Sequence, residues 1–174
     1  MGFVLTGHIR IVNDPVEIIP LLVCFNNSAY KEIFERLNRN WLTEEELNVQ
    51  WDPVVVSDCL AILKKGNLIE EQWRMPEPGQ KPAKEFRTTY SRFRANFQCN
   101  MNDLADLLHL AVSTDESLRD VVEKIELEIK SGNTSINDLA RKFNVSPIFV
   151  KGLAKRIPHF DMKGQGMVLL ERSR

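Results

Sequence analysis

The sequence predicts a mostly α-helical protein with small β wings, built as two winged helix-turn-helix units joined by two amphipathic helices. Three observations carry this expectation. The order helix, short helix, turn, longer helix, hairpin runs over residues 28–90 and returns in miniature over 135–171. Capping signatures mark the helix starts. A 174-residue chain with 43% hydrophobic and 27% charged residues has an ordinary globular composition with enough apolar side chains for a core. The expected segments are 1–98, an N-terminal winged-helix domain with an extension; 99–132, a helical connector and possible dimerisation region; and 133–174, a C-terminal winged-helix-like domain.

Phe3 to Val12 mix β-branched and polar residues and read as a strand, broken at Asn13-Asp14-Pro15. The apolar run from Ile18 to Phe25 reads as a short buried helix. Asn27 or Ser28 caps the next helix, which sets Ile33, Phe34 and Leu37 on one face. Thr43-Glu44-Glu45-Glu46 is a capping box, in which Thr43 accepts from the amide three residues on and Glu46 reaches back. Asp52-Pro53 starts a longer helix with Val56, Leu60 and Leu63 inward. Lys64-Lys65 suits its negative end, and Gly66 stops it. Leu68 to Trp73 and Glu85 to Tyr90 then form a hairpin around a Pro/Gly tip. Tyr90, Phe93 and Phe97, like Trp41, Trp51 and Trp73, are expected to pack rather than to stack on bases.

Asn102 or Asp103 opens a helix with Leu104, Leu107, Leu108 and Ala111 as its apolar stripe. Thr114 opens another, with Leu118, Val121, Val122, Ile125 and Ile129 inward and acids outward. Ser135 caps a short helix, and Ser146-Pro147 starts the next, with Val150, Leu153 and Ile157 inward. A final hairpin turns at Gly164-Gln165-Gly166.

The net charge of −1 does not mark a nucleic-acid binder, but its distribution is uneven. Residues 74–94 carry six basic against two acidic side chains, while residues 115–130 carry three against six. The candidate DNA contacts are therefore Lys81, Lys84, Arg87, Arg92 and Arg94 on the wing and its return. The second candidate set is Arg141, Lys142, Lys151, Lys155 and Arg156 on the C-terminal helix-turn-helix. Gly152 would let that second helix approach a nucleic-acid backbone. The first long helix offers only Val54, Ser57 and Ala61 to bases, so specificity is expected chiefly from Lys151, Lys155 and Arg156.

Over Tyr30 to Tyr90 the chain resembles the winged-helix domain of ArsR-type transcriptional regulators. The resemblance lies in Tyr30-Lys31-Glu32-Ile33-Phe34-Glu35, Leu42-Thr43-Glu44-Glu45-Glu46-Leu47 and the run Leu60 to Glu70 with its Lys64-Lys65-Gly66-Asn67-Leu68-Ile69. Trp73 to Gly79, Tyr90-Ser91-Arg92-Phe93 and the appended C-terminal helix-turn-helix are further similar to archaeal regulators of this type. The resemblance implies a cytoplasmic regulator of transcription that binds double-stranded DNA, with a homodimer as its expected form. Metal-responsive repression is not implied, because the paired cysteines of the metal-sensing members have no counterpart in Cys24, Cys59 and Cys99.

No cofactor is expected. Nucleophile-elbow, Walker and His/Cys metal spacings are all missing, so an enzyme is not expected either. The longest apolar run is too short to cross a bilayer. A tandem winged-helix module that binds other proteins is the alternative.

Overall fold

The computed structural model describes residues 7–171. Strand β1 (His8–Val12) leads through a 3-10 turn (Pro15–Glu17) into α1 (Ile18–Asn26) and α2 (Ser28–Arg39). Strand β2 (Leu42–Thr43), α3 (Glu44–Asn48) and α4 (Pro53–Lys65) follow, then β3 (Glu70–Arg74), β4 (Ala83–Arg87) and β5 (Tyr90–Ala95). Helices α5 (Met101–Val112), α6 (Asp115–Lys130), α7 (Ile136–Phe143) and α8 (Pro147–Arg156) precede a last hairpin, β6 (Phe160–Lys163) and β7 (Gly166–Leu169). The protein is mostly α with small β wings. Residues 3–6 of the expected first strand lie outside the described residues.

Local chemistry sets most element boundaries. The side chains of Asn27, Thr43, Asp52, Asn100, Thr114, Ser135 and Ser146 each accept a hydrogen bond from a first-turn amide of the helix they open. At α3 the capping box is complete: the Glu46 amide donates to Thr43 Oγ1 at 3.2 Å and the Thr43 amide donates to Glu46 Oε2 at 2.7 Å. Gly66 ends α4 as expected, but it stays right-handed, and the left-handed residue is Asn67 at φ 50°. The glycine is needed for space. A Cβ at Gly66 would lie 2.9 Å from Pro20 Cβ and 3.0 Å from Leu68 Cδ1, so α1 presses on the end of α4 at this point.

Three small sheets stand around the helices. Strands β2, β4 and β3 form an antiparallel sheet in that order, and β3 and β4 are the first wing. Strands β6 and β7 form the C-terminal hairpin. The third sheet is a parallel pairing of β1 with β5, which brings Ile9 beside Arg92 and Ile11 beside Arg94. Sequence reasoning missed β5: residues 90–95 alternate in the strand manner, but their partner lies some eighty positions upstream and carries no turn signal.

The hydrophobic cores do not coincide with the segments 1–98, 99–132 and 133–174. One core gathers Cys24, Ile33, Phe34, Leu37, Leu47, Val56, Cys59, Leu60, Leu63, Leu68 and Phe86 inside the first winged-helix unit. The other gathers α5 to α8 and the last hairpin, and it also takes Val16, Ile19 and Val23 from the N-terminal extension and Ile62 from α4. Helix α1 packs against α2 and α4 on one side and α5 and α8 on the other.

Three expectations about the later helices change, the first being that α5 is opened by Asn100 rather than by Asn102 or Asp103. On α5 the buried residues are Leu107, Leu110 and Ala111, while Leu104 and Leu108 point outward with Met101 and Val112. Its apolar residues span well over half the circumference, opposite Asn102, Asp106 and His109, so the sequence does not fix which part of that arc faces in. Helix α8, expected to lie open as a DNA reader, is docked. Phe149, Val150, Gly152, Leu153 and Ala154 are buried, and the missing Cβ of Gly152 would lie 2.5 Å from Leu110 Cδ1 and 2.9 Å from Ile19 Cδ1. This glycine admits two neighbouring helices, not a nucleic acid.

Gly152→Val is therefore expected to destabilise the protein by about 1–3 kcal/mol through overpacking. Urea unfolding measures it, and an unchanged midpoint would mean that α8 is not seated against α1 and α5.

Candidate nucleic-acid interface

The first unit presents α4 and the wing side by side. Along α4, Val54, Ser57 and Lys64 are exposed and Ala61 is half-buried, and their spacing puts them on one helix face. The turn before α4 is braced by Arg36, which donates to Gln50 Oε1 at 2.6 Å and lies 5.7 Å over the Trp51 ring. Asp52 caps α4 through the Val54 amide at 2.8 Å. Its carboxylate therefore stands where a phosphate would otherwise meet the helix N-terminus.

The wing is fixed to α3 by a cluster around Arg74. Its guanidinium donates to Glu46 at 2.8 and 3.0 Å, to Glu85 Oε2 at 2.6 Å and to the Trp41 carbonyl at 3.3 Å, while Gln72 Nε2 donates to Glu85 Oε1 at 2.7 Å. The capping box of α3 and the wing strands thus share one cation. Arg74 counts toward the basic block in sequence, yet it is structural.

A second cluster links the wing to α4. Glu71 accepts from Lys64 at 2.9 Å and from Lys84 at 2.8 Å. Lys64 Nζ also lies 5.0 Å from the Phe86 ring, and Lys84 Nζ lies 5.6 Å from the Trp73 ring. Trp73, expected to pack, is 65% exposed. Of the other expected packing aromatics, Tyr90 and Phe97 are half-buried, while Phe93 is 55% exposed.

The sequence-predicted contacts divide clearly. Lys81 near the wing tip and Arg92 and Arg94 on β5 are exposed, and no ion pair or hydrogen bond engages their side chains among the described residues. Lys84 is exposed but held by Glu71. Arg87 sits half-buried at the base of the wing, its Nε enclosed without a hydrogen-bond partner.

On α7, Arg141 pairs with Asp138 and Lys142 with Glu128. On α8, Lys151 is half-buried. Lys155 donates to the Lys65 carbonyl at 3.2 Å, and Lys65 in turn donates to the Phe160 carbonyl. Arg156 has a side chain only 12% exposed and donates to Asp115 Oδ1 at 2.6 Å and to the Ser113 carbonyl at 3.2 Å.

The N-terminus of α8 is also occupied: Ser146, its cap, donates to Asp106 Oδ2 at 2.6 Å. Of the three cations expected to read bases from α8, Lys155 instead ties it to α4 and Arg156 to the α5–α6 turn. A basic stretch after Ser-Pro looks the same in sequence whether its stems lie over the protein or point to solvent. Lys64 is the residue that sequence reasoning missed, since its place at a helix C-terminus explains it without the wing.

The carboxyls of both wing clusters are held below the ordinary glutamate value of 4.5. Hydrogen bonds from Lys84 and then Lys64 bring Glu71 to about 2. A hydrogen bond from Arg74 lowers Glu46, and bonds from Gln72 and then Arg74 lower Glu85. Among the described residues no group of three or more His, Cys, Asp or Glu is placed to hold a metal, and no helix is long and apolar enough to cross a membrane. Cys24 and Cys59 are buried beside the Tyr30 carbonyl, and burial pushes the Cys24 thiol up to about 12.

A winged helix-turn-helix with an exposed lysine near its wing tip is a fold that DNA-binding regulators use. The chain belongs to the ArsR family: the model of the ArsR transcriptional regulator matches it over residues 12–171. No curated protein matches the sequence. The protein is a transcriptional regulator of a DNA-binding family.

The depressed carboxyls give a pH prediction with a definite sign. Below 4.5 the unfolded chain takes up protons that Glu46 and Glu85 refuse in the folded state, so stability falls as pH drops below 4.5. Urea midpoints across that window are expected to fall less steeply in Arg74→Gln, which lacks the cation facing Glu46 and Glu85. Parallel curves for the variant and the wild type would remove Arg74 as the cause.

Proposed function

We propose that this regulator binds double-stranded DNA through the first unit alone, with α4 in the major groove and the wing and β5 on the backbone. One observation carries the reading: Lys81, Arg92 and Arg94 are open to solvent, whereas Lys155 and Arg156 are engaged within the protein. Val54, Ser57 and Ala61 offer small surfaces of the kind that meet thymine methyls. The cations beside them supply the sequence-independent part of the affinity. The C-terminal unit is then a scaffold that holds α1 and α4 from behind.

Lys81→Ala, Arg92→Ala and Arg94→Ala combined are expected to weaken binding to every duplex. The dependence of log K on log salt should flatten by about 0.9 for each phosphate that is no longer neutralised. Fluorescence anisotropy over a salt series measures this, and an unchanged slope would sink the assignment.

The same reading takes the working form to be a homodimer. Met101, Leu104, Leu108 and Val112 recur every three or four residues along the outer side of α5, forming an apolar stripe left open in the single chain. An isologous contact along that stripe would set two wings at fixed separation for two half-sites. Leu104→Glu with Leu108→Glu is expected to give a folded monomer by sedimentation equilibrium and to lose cooperative binding to paired half-sites. A variant that stays dimeric would place the contact elsewhere.

A further inference from the structure

Glu71 stands on β3 between two elements that each send it a lysine. Lys64, from the last turn of α4, binds Oε2 at 2.9 Å, and Lys84, from β4, binds Oε1 at 2.8 Å. Two ammonium groups thus converge on two oxygens of one anion, the arrangement that the two non-bridging oxygens of a phosphodiester also offer. The lysines are held in place independently of the carboxylate, Lys64 over the Phe86 ring and Lys84 over the Trp73 ring. All three charged side chains are between 42 and 47% exposed, so the site opens to solvent rather than into the core. It lies on the flank of α4 that carries Val54, Ser57 and Ala61, and a duplex following that helix would bring its backbone across it.

We propose that Glu71 is a built-in stand-in for a DNA phosphate, occupying the Lys64–Lys84 site in the free protein and giving it up when a duplex backbone enters. The proposal rests on the DNA-binding reading above. The exchange trades one anion for another and requires no change of fold. An exposed ion pair of this kind contributes little to stability, so releasing it leaves the wing intact. Its effect falls on discrimination. A random duplex must displace a carboxylate that is already bound, and it lacks the compensating fit to α4. Glu71 thereby restrains sequence-independent binding, which two uncovered lysines beside a recognition helix would otherwise favour.

The test is Glu71→Gln, which keeps the shape and removes the charge, compared with wild type by anisotropy on a random-sequence duplex across a salt series. The expected result is several-fold tighter binding at low salt and a salt slope steeper by about one unit, for one additional uncompensated cation. Adding Lys64→Gln and Lys84→Gln should cancel that gain. Binding equal to or weaker than wild type, with an unchanged slope, overturns the proposal and leaves Glu71 as a brace. If folded wild-type protein and Glu71→Gln both fail to bind any duplex, the DNA-binding reading falls and this proposal falls with it.

Discussion

Helix α1 is buried from two sides, and the rest of the structure depends on that. Its nine residues run Ile-Ile-Pro-Leu-Leu-Val-Cys-Phe-Asn, with no charge among them. Ile19 and Val23 enter the core built by α5 to α8, while Cys24 enters the core of the first winged helix. Full burial of an aliphatic side chain contributes roughly 1.5–3 kcal/mol, so the α5–α8 core cannot release α1 without losing the contributions of Ile19 and Val23. Pro20 is tolerated because it falls in the first turn, where its amide would have no helical partner. Its Cβ sets the approach to Gly66 at the end of α4. The arrangement makes α4, α1 and the C-terminal unit one packed body, and the hydrogen bonds that join Lys65, Lys155 and Phe160 close it. Burial also pulls the Lys65 ammonium pKa down, the mark of a cation withdrawn from water to hold this junction.

Much of this is legible in the sequence where the cause is local. A cap needs one side-chain oxygen two or three residues before the amide it satisfies, so Thr43, Asp52, Ser135 and Ser146 announce their helices. The wing hairpin follows from the turn residues between two β-rich runs. The features that the sequence hides depend on neighbours distant in the chain. The pairing of β1 with β5, the inward arc of α5 and the docking of α8 are each decided by a partner far away in sequence. Helix α8 is the clearest case. Ile148, Phe149, Val150, Leu153, Ala154 and Ile157 supply apolar surface around most of its circumference, which is the composition of a buried helix. Its three cations and its Ser-Pro start mask that composition.

Charge explains how a chain of net charge −1 can belong to a DNA-binding family. The basic side chains are numerous, but acids neutralise most of those near the expected DNA-binding surfaces. Glu46 and Glu85 take Arg74, Glu71 takes Lys64 and Lys84, and Glu128, Asp138 and Asp115 take Lys142, Arg141 and Arg156. The wing tip and β5 escape this pairing. A surface so arranged attracts the backbone at a few places and leaves discrimination to fit.

Helices α4 and α8 also differ in what they can offer an anion. Both have an N-terminus that points to amide donors, and in both that end is taken by protein oxygens. Asp52 serves α4 directly, and Ser146 backed by Asp106 serves α8. A phosphate at the positive end would have to displace the Asp52 carboxylate at α4 and the Ser146 hydroxyl at α8. For α8 the far end is buried against α5 and the α5–α6 turn, so nothing compensates. For α4 the far end is packed against Pro20 and tied by Lys155, and Lys64 alone of its last turn stands in solvent, beside a wing that adds Lys84. The wing that places Lys84 there is itself positioned by Arg74, which Glu46 and Glu85 hold.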